Sequence, residues 1–156
     1  MNLLYCVSSV FVGQEKAQNI AYYRAFCSYN MKDYQIASDL FKQFIQTYPE
    51  SSFAEECLYM MGFCDYKASP KPRLDQQVTE KAIREFQLYL SRYPYSMRKD
   101  KVNTYMDEMR DKLSYKAYLS AKNYYLREHY KAAVISLQNC LKDYPGSKYR
   151  EEIMYM

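Results

Sequence analysis

The chain has no tryptophan, one histidine, three glycines and five prolines in 156 residues. With glycine only at Gly13, Gly62 and Gly146, there is no Gly-rich loop to cradle a phosphate. The lone His129 and the absence of any C-x-x-C spacing give no recognisable zinc site. The five cysteines, Cys6, Cys27, Cys57, Cys64 and Cys140, read as core thiols filling apolar positions. Cys57 and Cys64 lie too far apart along one helix to bridge each other. No run of about 20 apolar residues occurs, which excludes a transmembrane helix of ordinary length. No block of five like charges occurs, and the net charge of +4 arises from interspersed signs. Nucleic acid is therefore not an expected partner. The apolar start, Met1 to Val12, has no basic flank, and Leu3-Leu4-Tyr5 before Cys6 is not the small-residue setting of a lipid-attachment cysteine.

Catalytic chemistry finds no foothold. His129 sits in a turn without a Ser or Cys partner in a recognisable nucleophile motif. Adjacent carboxylates such as Glu55 and Glu56 diverge around a helix instead of converging on a substrate. No enzyme activity, cofactor or metal is expected.

What the chain has in quantity is hydrophobic residues, 49%, and 20 tyrosines. It also repeats one phrase in three copies: A-x3-[F/L]-x6-Y-P-x-S. The copies are Ala37, Phe41, Tyr48-Pro49, Ser51; Ala82, Phe86, Tyr93-Pro94, Ser96; and Ala133, Leu137, Tyr144-Pro145, Ser147. Repetition on this scale marks stacked supersecondary units. Ala37, Phe41, Phe44 and Ile45 recur at helical spacing, as do Ala82, Phe86, Tyr89 and Leu90. The small Ala admits a close neighbour and the aromatic four residues on fills the gap beside it. Proline stops the helix, and Ser follows as a cap for the next one. In the first copy Ser52 and Glu55 predict a capping box.

Each phrase is thus the second helix of a pair. First helices are predicted over 15–31, 53–68 and 97–128, with Ala25, Gly62 and Ala121 as their small contact residues. Lys32-Asp33-Tyr34 and Glu128-His129-Tyr130 make the turns within pairs. The middle pair inserts Ser69 to Gln76, where two prolines exclude helix. The third first-helix is extended, roughly 45 Å at 1.5 Å per residue. The predicted fold is all-α, a tetratricopeptide-repeat-like α-solenoid of antiparallel helix pairs, in one array over 1–156. Its parts are a partial repeat 1–14, repeats 15–51, 52–96 and 97–147, and a truncated repeat 148–156. The segment Ser147 to Met156 matches Ser51 to Met60, and Leu3, Leu4, Val7, Val10 and Phe11 read as a second helix lacking its first. A fragment missing both ends is the expectation, since terminal caps keep such arrays soluble.

Small residues at fixed places and a closing proline resemble tetratricopeptide repeats: Ala25, Ala37, Phe41, Pro49, and Ala121, Tyr124, Ala133, Leu137, Pro145. The run from Ser69 through Leu74-Asp75-Gln76, Thr79, Ala82-Ile83 and Phe86 to Tyr93-Pro94 and Ser96 is more specific. With Leu141 to Pro145 and Tyr149 to Glu152, it resembles the BamD family, lipoproteins of the outer-membrane β-barrel assembly machinery, over about 15 to 156. The resemblance implies a non-catalytic scaffold at the periplasmic face of the outer membrane. The implied partners are the periplasmic domains of the barrel-forming subunit and unfolded outer-membrane protein precursors. It implies membrane association only through an N-terminal lipid absent from this chain. The alternative is a generic repeat adaptor binding peptides in the cell envelope or cytosol.

A binding surface would lie on the first helices, which line the concave face in this architecture. Tyr22, Phe26 and Tyr29, then Tyr59, Phe63 and Tyr66, then Tyr118, Lys122 and Tyr125 fall on one face of their helices. Tyrosine pairs an apolar body with a polar tip and suits a wet groove. The competing reading is inter-helix packing, the commoner use of such rings. Tyr48, Tyr93 and Tyr144, before the prolines, are structural. Arg73, Asp75 and Gln76 form the second candidate, though Asp75 could equally cap the helix starting near Val78.

Overall fold

A computed structural model describes residues 3–155, with side chains for 13 and 15–155. Among these there are seven helices and no strand: α1 Leu3–Asn30, α2 Tyr34–Thr47, α3 Ala54–Ala68, α4 Gln77–Arg92, α5 Lys99–Leu126, α6 Tyr130–Asp143 and α7 Arg150–Met154. They form the all-α, repeat-like stack of antiparallel pairs, α1 with α2, α3 with α4 and α5 with α6. α2, α4 and α6 each end one residue before the tyrosine of a Tyr-Pro step, because proline disfavours helical geometry in the residue before it. The turns after α1 and α5 are closed by Lys32 and Glu128, non-glycine residues at φ 66° and 62°.

The serines after the prolines bond to the turn before each following helix and do not cap the helix itself. Phe53, Arg98 and Tyr149 each donate a backbone N–H to the hydroxyl two residues before, on Ser51, Ser96 and Ser147, at 3.3, 3.2 and 3.2 Å. The capping box does not form. α3 begins at Ala54, one residue too late for Ser52 to face its first turn, and no side chain caps it. Glu55 turns away to the α4–α5 junction, accepting from Tyr89 at 3.0 Å and from Ser96 at 2.8 Å.

The expected boundary after residue 14 is absent. α1 runs unbroken from Leu3 to Asn30, so no turn divides residues 3–14 from the repeat that begins at 15. Cys6 and the apolar Leu3, Leu4, Val7, Val10 and Phe11 lie outside the residues whose side chains are described. The cysteines also depart from expectation at one position: Cys27 is exposed, whereas Cys57, Cys64 and Cys140 are buried thiols. Burial pushes Cys57 and Cys64 up to about 12, which keeps them protonated and unreactive at neutral pH.

The apolar interior falls into two clusters. The larger runs from Ala25 through α2, α3 and α4 to Val102, Met106 and Met109 of α5. The smaller gathers Tyr118 and Ala121 of α5 with Leu137, Cys140 and Ile153. α5, about 42 Å long, is the strut between them. Its beginning repeats the beginning of α3, with Val102, Met106 and Met109 standing where Cys57, Met61 and Cys64 stand. Its end repeats the end of α1, with Tyr118 and Ala121 in the places of Tyr22 and Ala25. One helix therefore closes the middle pair and opens the third.

Candidate functional site

Side chains from α1, α3 and α5 meet in a row of rings. Tyr22 lies 4.6 Å from Phe26, Tyr29 lies 6.2 Å from Phe63, and Phe63 lies 6.0 Å from Tyr66. Tyr105 extends the row, stacked 4.6 Å from Tyr66 and 5.5 Å from Phe63. Tyr22, Phe26, Tyr29, Phe63, Tyr66 and Tyr105 are all half-buried, so each offers one edge or face outward while the rest packs. Lys67 stands 5.2 Å over Phe63, and Arg98 4.7 Å over Tyr59.

Tyr59 and Tyr118, expected in the row, are core residues at 8% and 3% exposure. Tyr59 meets Tyr89 at 5.9 Å and is covered by Arg98, and burial pushes its hydroxyl up to about 12. Nor do the three residues expected from the third helix join the row. Tyr118 stacks on Tyr149, Lys122 pairs with Glu152 at 3.1 Å, and Tyr125 is 40% exposed beside Tyr130. The reason is the double register of α5. Its first half lies against the large cluster and supplies Tyr105, while Tyr118, Lys122 and Tyr125 belong to the third pair.

Glutamates hold two of the row's hydroxyls. Tyr22 donates to Glu56 at 2.8 Å, and Tyr66 donates to Glu108 at 2.5 Å. Tyr118 makes the bond equivalent to that of Tyr22, donating to Glu152, and each pair is 34 residues apart. Tyr149 stacks on Tyr118 where Phe53 packs, tilted, on Tyr22, so a whole constellation recurs. The bond to Glu108 pushes the Tyr66 hydroxyl up to about 12, and burial with the Glu56 bond pushes Tyr22 higher still. Glu152 is held below the usual carboxylate range by Tyr118 and then Lys122. Glu55 and Glu56 diverge as expected: Glu56 takes Tyr22 and Arg98, Glu55 takes Tyr89 and Ser96. Sequence reasoning missed Tyr105 and the glutamates. For Glu56 and Glu152 the match of Glu55-Glu56 to Glu151-Glu152 was the available signal.

The inserted loop divides. Gln76 is buried and turned inward, donating to the carbonyls of Lys71 at 2.8 Å and Leu74 at 3.1 Å, while its Oε1 accepts from Thr79 at 2.8 Å. It holds the loop shut and presents nothing to a partner. Asp75 is exposed and makes no cap; the residue preceding α4 is Gln76, which caps no backbone N–H. Arg73 is exposed, at a cleft of about 310 Å³ shared with Pro72, Lys116, Leu119 and Asn123. Lys112 and Lys116 of α5 bind the loop through Ser69 Oγ at 2.7 Å and the Leu74 carbonyl at 2.9 Å.

Comparison with known proteins gives one family for the chain. The family model described as YfiO, outer membrane lipoprotein, matches residues 2–156. No curated protein matches the chain.

Proposed function

The chain belongs to the YfiO outer membrane lipoprotein family, and from that premise we propose that it is a non-catalytic scaffold of the outer-membrane β-barrel assembly machinery. Its partners in this reading are the periplasmic domains of the barrel-forming subunit and unfolded barrel precursors, met at the periplasmic face of the outer membrane. No described helix is long and apolar enough to cross a membrane.

The observation that carries the reading is the half-buried row from Tyr22 to Tyr105, contributed by three helices. Its rings pack on the large cluster and keep an edge or face outward, and scattered solvated side chains would not assemble them. An extended segment rich in aromatics and small apolar residues could lie along the row, stacking on ring faces while Tyr hydroxyls and Glu108 meet its backbone. Exposed Arg73 and Asp75 stand on the loop as a separate docking candidate.

Tyr29 and Tyr66 are the sites to change, because Tyr22 and Phe26 reach the buried rings of Phe44 and Phe41, whereas the ring partners of Tyr29 and Tyr66 are themselves half-buried. Binding of an unfolded β-barrel segment is measured by fluorescence anisotropy, and retention of the barrel-forming subunit's periplasmic domains by pull-down. Tyr29→Ala with Tyr66→Ala is expected to weaken segment binding by about fivefold or more, the effect of losing a contact worth over 1 kcal/mol, with helix content unchanged. Unchanged affinity would make the row a packing feature. Segment binding without retention of the subunit's domains would turn the reading toward a generic peptide adaptor.

A further inference from the structure

The aromatic row leaves a second feature of α3 unused, a buried charge cluster against α4. Asp65 of α3 and Glu85 of α4 are 1% and 9% exposed. One ammonium reaches both: Lys81 Nζ lies 2.9 Å from Asp65 Oδ2 and 3.7 Å from Glu85 Oε1. Lys81 also donates to Ser38 Oγ at 3.3 Å and stands 4.0 Å from exposed Asp39, so the cluster ties α2 to α3 and α4. Lys42 of α2 and Cys64 of α3 are the other titratable groups that face it. α5 adds no ion pair to it among the described residues; its Lys112 turns to Ser69 instead.

Two buried carboxylates against one ammonium would leave an uncompensated charge in the interior, which is costly. Two oxygens, Asp65 Oδ2 and Glu85 Oε2, are sealed from solvent and have no hydrogen-bond partner. Lys81 sits beside the first as an ion pair without hydrogen-bond alignment. One proton removes both problems. With Glu85 as a carboxylic acid donating to Asp65, and Asp65 as a carboxylate paired with Lys81, the charges balance and the oxygens are satisfied.

We propose that Asp65 and Glu85 share one proton that latches the α2–α3–α4 seam, and that losing this proton loosens α4 from α3. The environment agrees with the geometry: burial, then the bond to Asp65, pushes Glu85 up to about 8. A carboxyl raised on folding binds its proton more tightly in the closed seam than in the open one. The closed state is therefore favoured fully below the ordinary Glu range, and this advantage is lost as pH rises through the folded value.

Hydrogen exchange of the α3 and α4 amides, corrected for intrinsic rates, reads the opening directly. In the wild-type chain, opening is expected to increase by up to about tenfold per pH unit, the limit for one linked proton, from about pH 5 to pH 8, then level off. Glu85→Gln keeps a donor for Asp65 and should flatten this dependence. Asp65→Asn frees Glu85 to ionise against Lys81 and should move the rise to lower pH. Carbon NMR of the wild-type Glu85 carboxyl gives a reading that needs no variant, with a midpoint near 8 expected. A midpoint below 6, or parallel pH profiles for wild type and Glu85→Gln, would overturn the latch.

Discussion

Single positions carry more of this fold than their sizes suggest. Gly62 is the tightest of them, since a Cβ there would stand 2.9 Å from the buried ring of Phe86. Phe86 has no room to yield, so Gly62→Ala is expected to cost about 1–3 kcal/mol, the usual penalty of overpacking, seen as a lower Tm. Lys32 and Glu128 are the opposite case. Both are exposed and held in the left-handed region, which costs an L-residue about 1–2 kcal/mol. Glycine removes that strain while adding freedom to the unfolded chain. Lys32→Gly and Glu128→Gly are each expected to raise stability by a few tenths to about 1 kcal/mol in chemical denaturation. A loss of stability in either would mean that the Lys or Glu side chain contributes to the turn beyond occupying it.

At the scale of elements, the inserted loop is a built connection. Gln76 spends its whole amide inside the loop, and Ser69, 2.6 Å from Thr79, joins it to Lys112 of α5. Gln76→Ala removes three hydrogen bonds, to the Lys71 and Leu74 carbonyls and from Thr79, each worth about 0.5–1.5 kcal/mol. Arg73→Ala and Asp75→Ala leave stability within about 0.5 kcal/mol, as exposed substitutions do. Thermal melts of the three variants separate these outcomes. Deleting Ser69 to Gln76 would therefore confuse lost contacts with lost folding, and the two exposed residues are the cleaner probes of partner binding. α5 shows the complementary lesson. Its two halves obey two registers, so the row of rings continues at Tyr105 and not at Tyr118.

For the whole molecule, the division of the interior into two clusters predicts uneven cooperativity. The larger cluster spans five helices, while the smaller rests on α6, α7 and the second half of α5. Leu137→Ala creates a cavity in the smaller one, an effect of about 2–5 kcal/mol. Hydrogen exchange is expected to speed up in α6, α7 and the end of α5 while α2 to α4 stay protected. Uniform acceleration would show that α5 transmits the loss and that the array unfolds as one unit.

The sequence by itself determined the helix pairs and the ends of their second helices, because those follow from local chemistry: apolar spacing, small residues at crossings and proline stops. The family was also legible, carried by the Tyr-Pro phrases and the loop run. The tertiary structure alone decided which tyrosines look outward. Tyr59 and Phe63 share a helical face and the same spacing, yet Arg98, brought from the α4–α5 junction, closes over the first. Tyr105 belongs to no repeat phrase and enters the row only because α5 begins against α4. The Asp65–Glu85 pair was equally hidden, since two carboxyls on different helices become a proton-sharing pair only when packing removes the water between them.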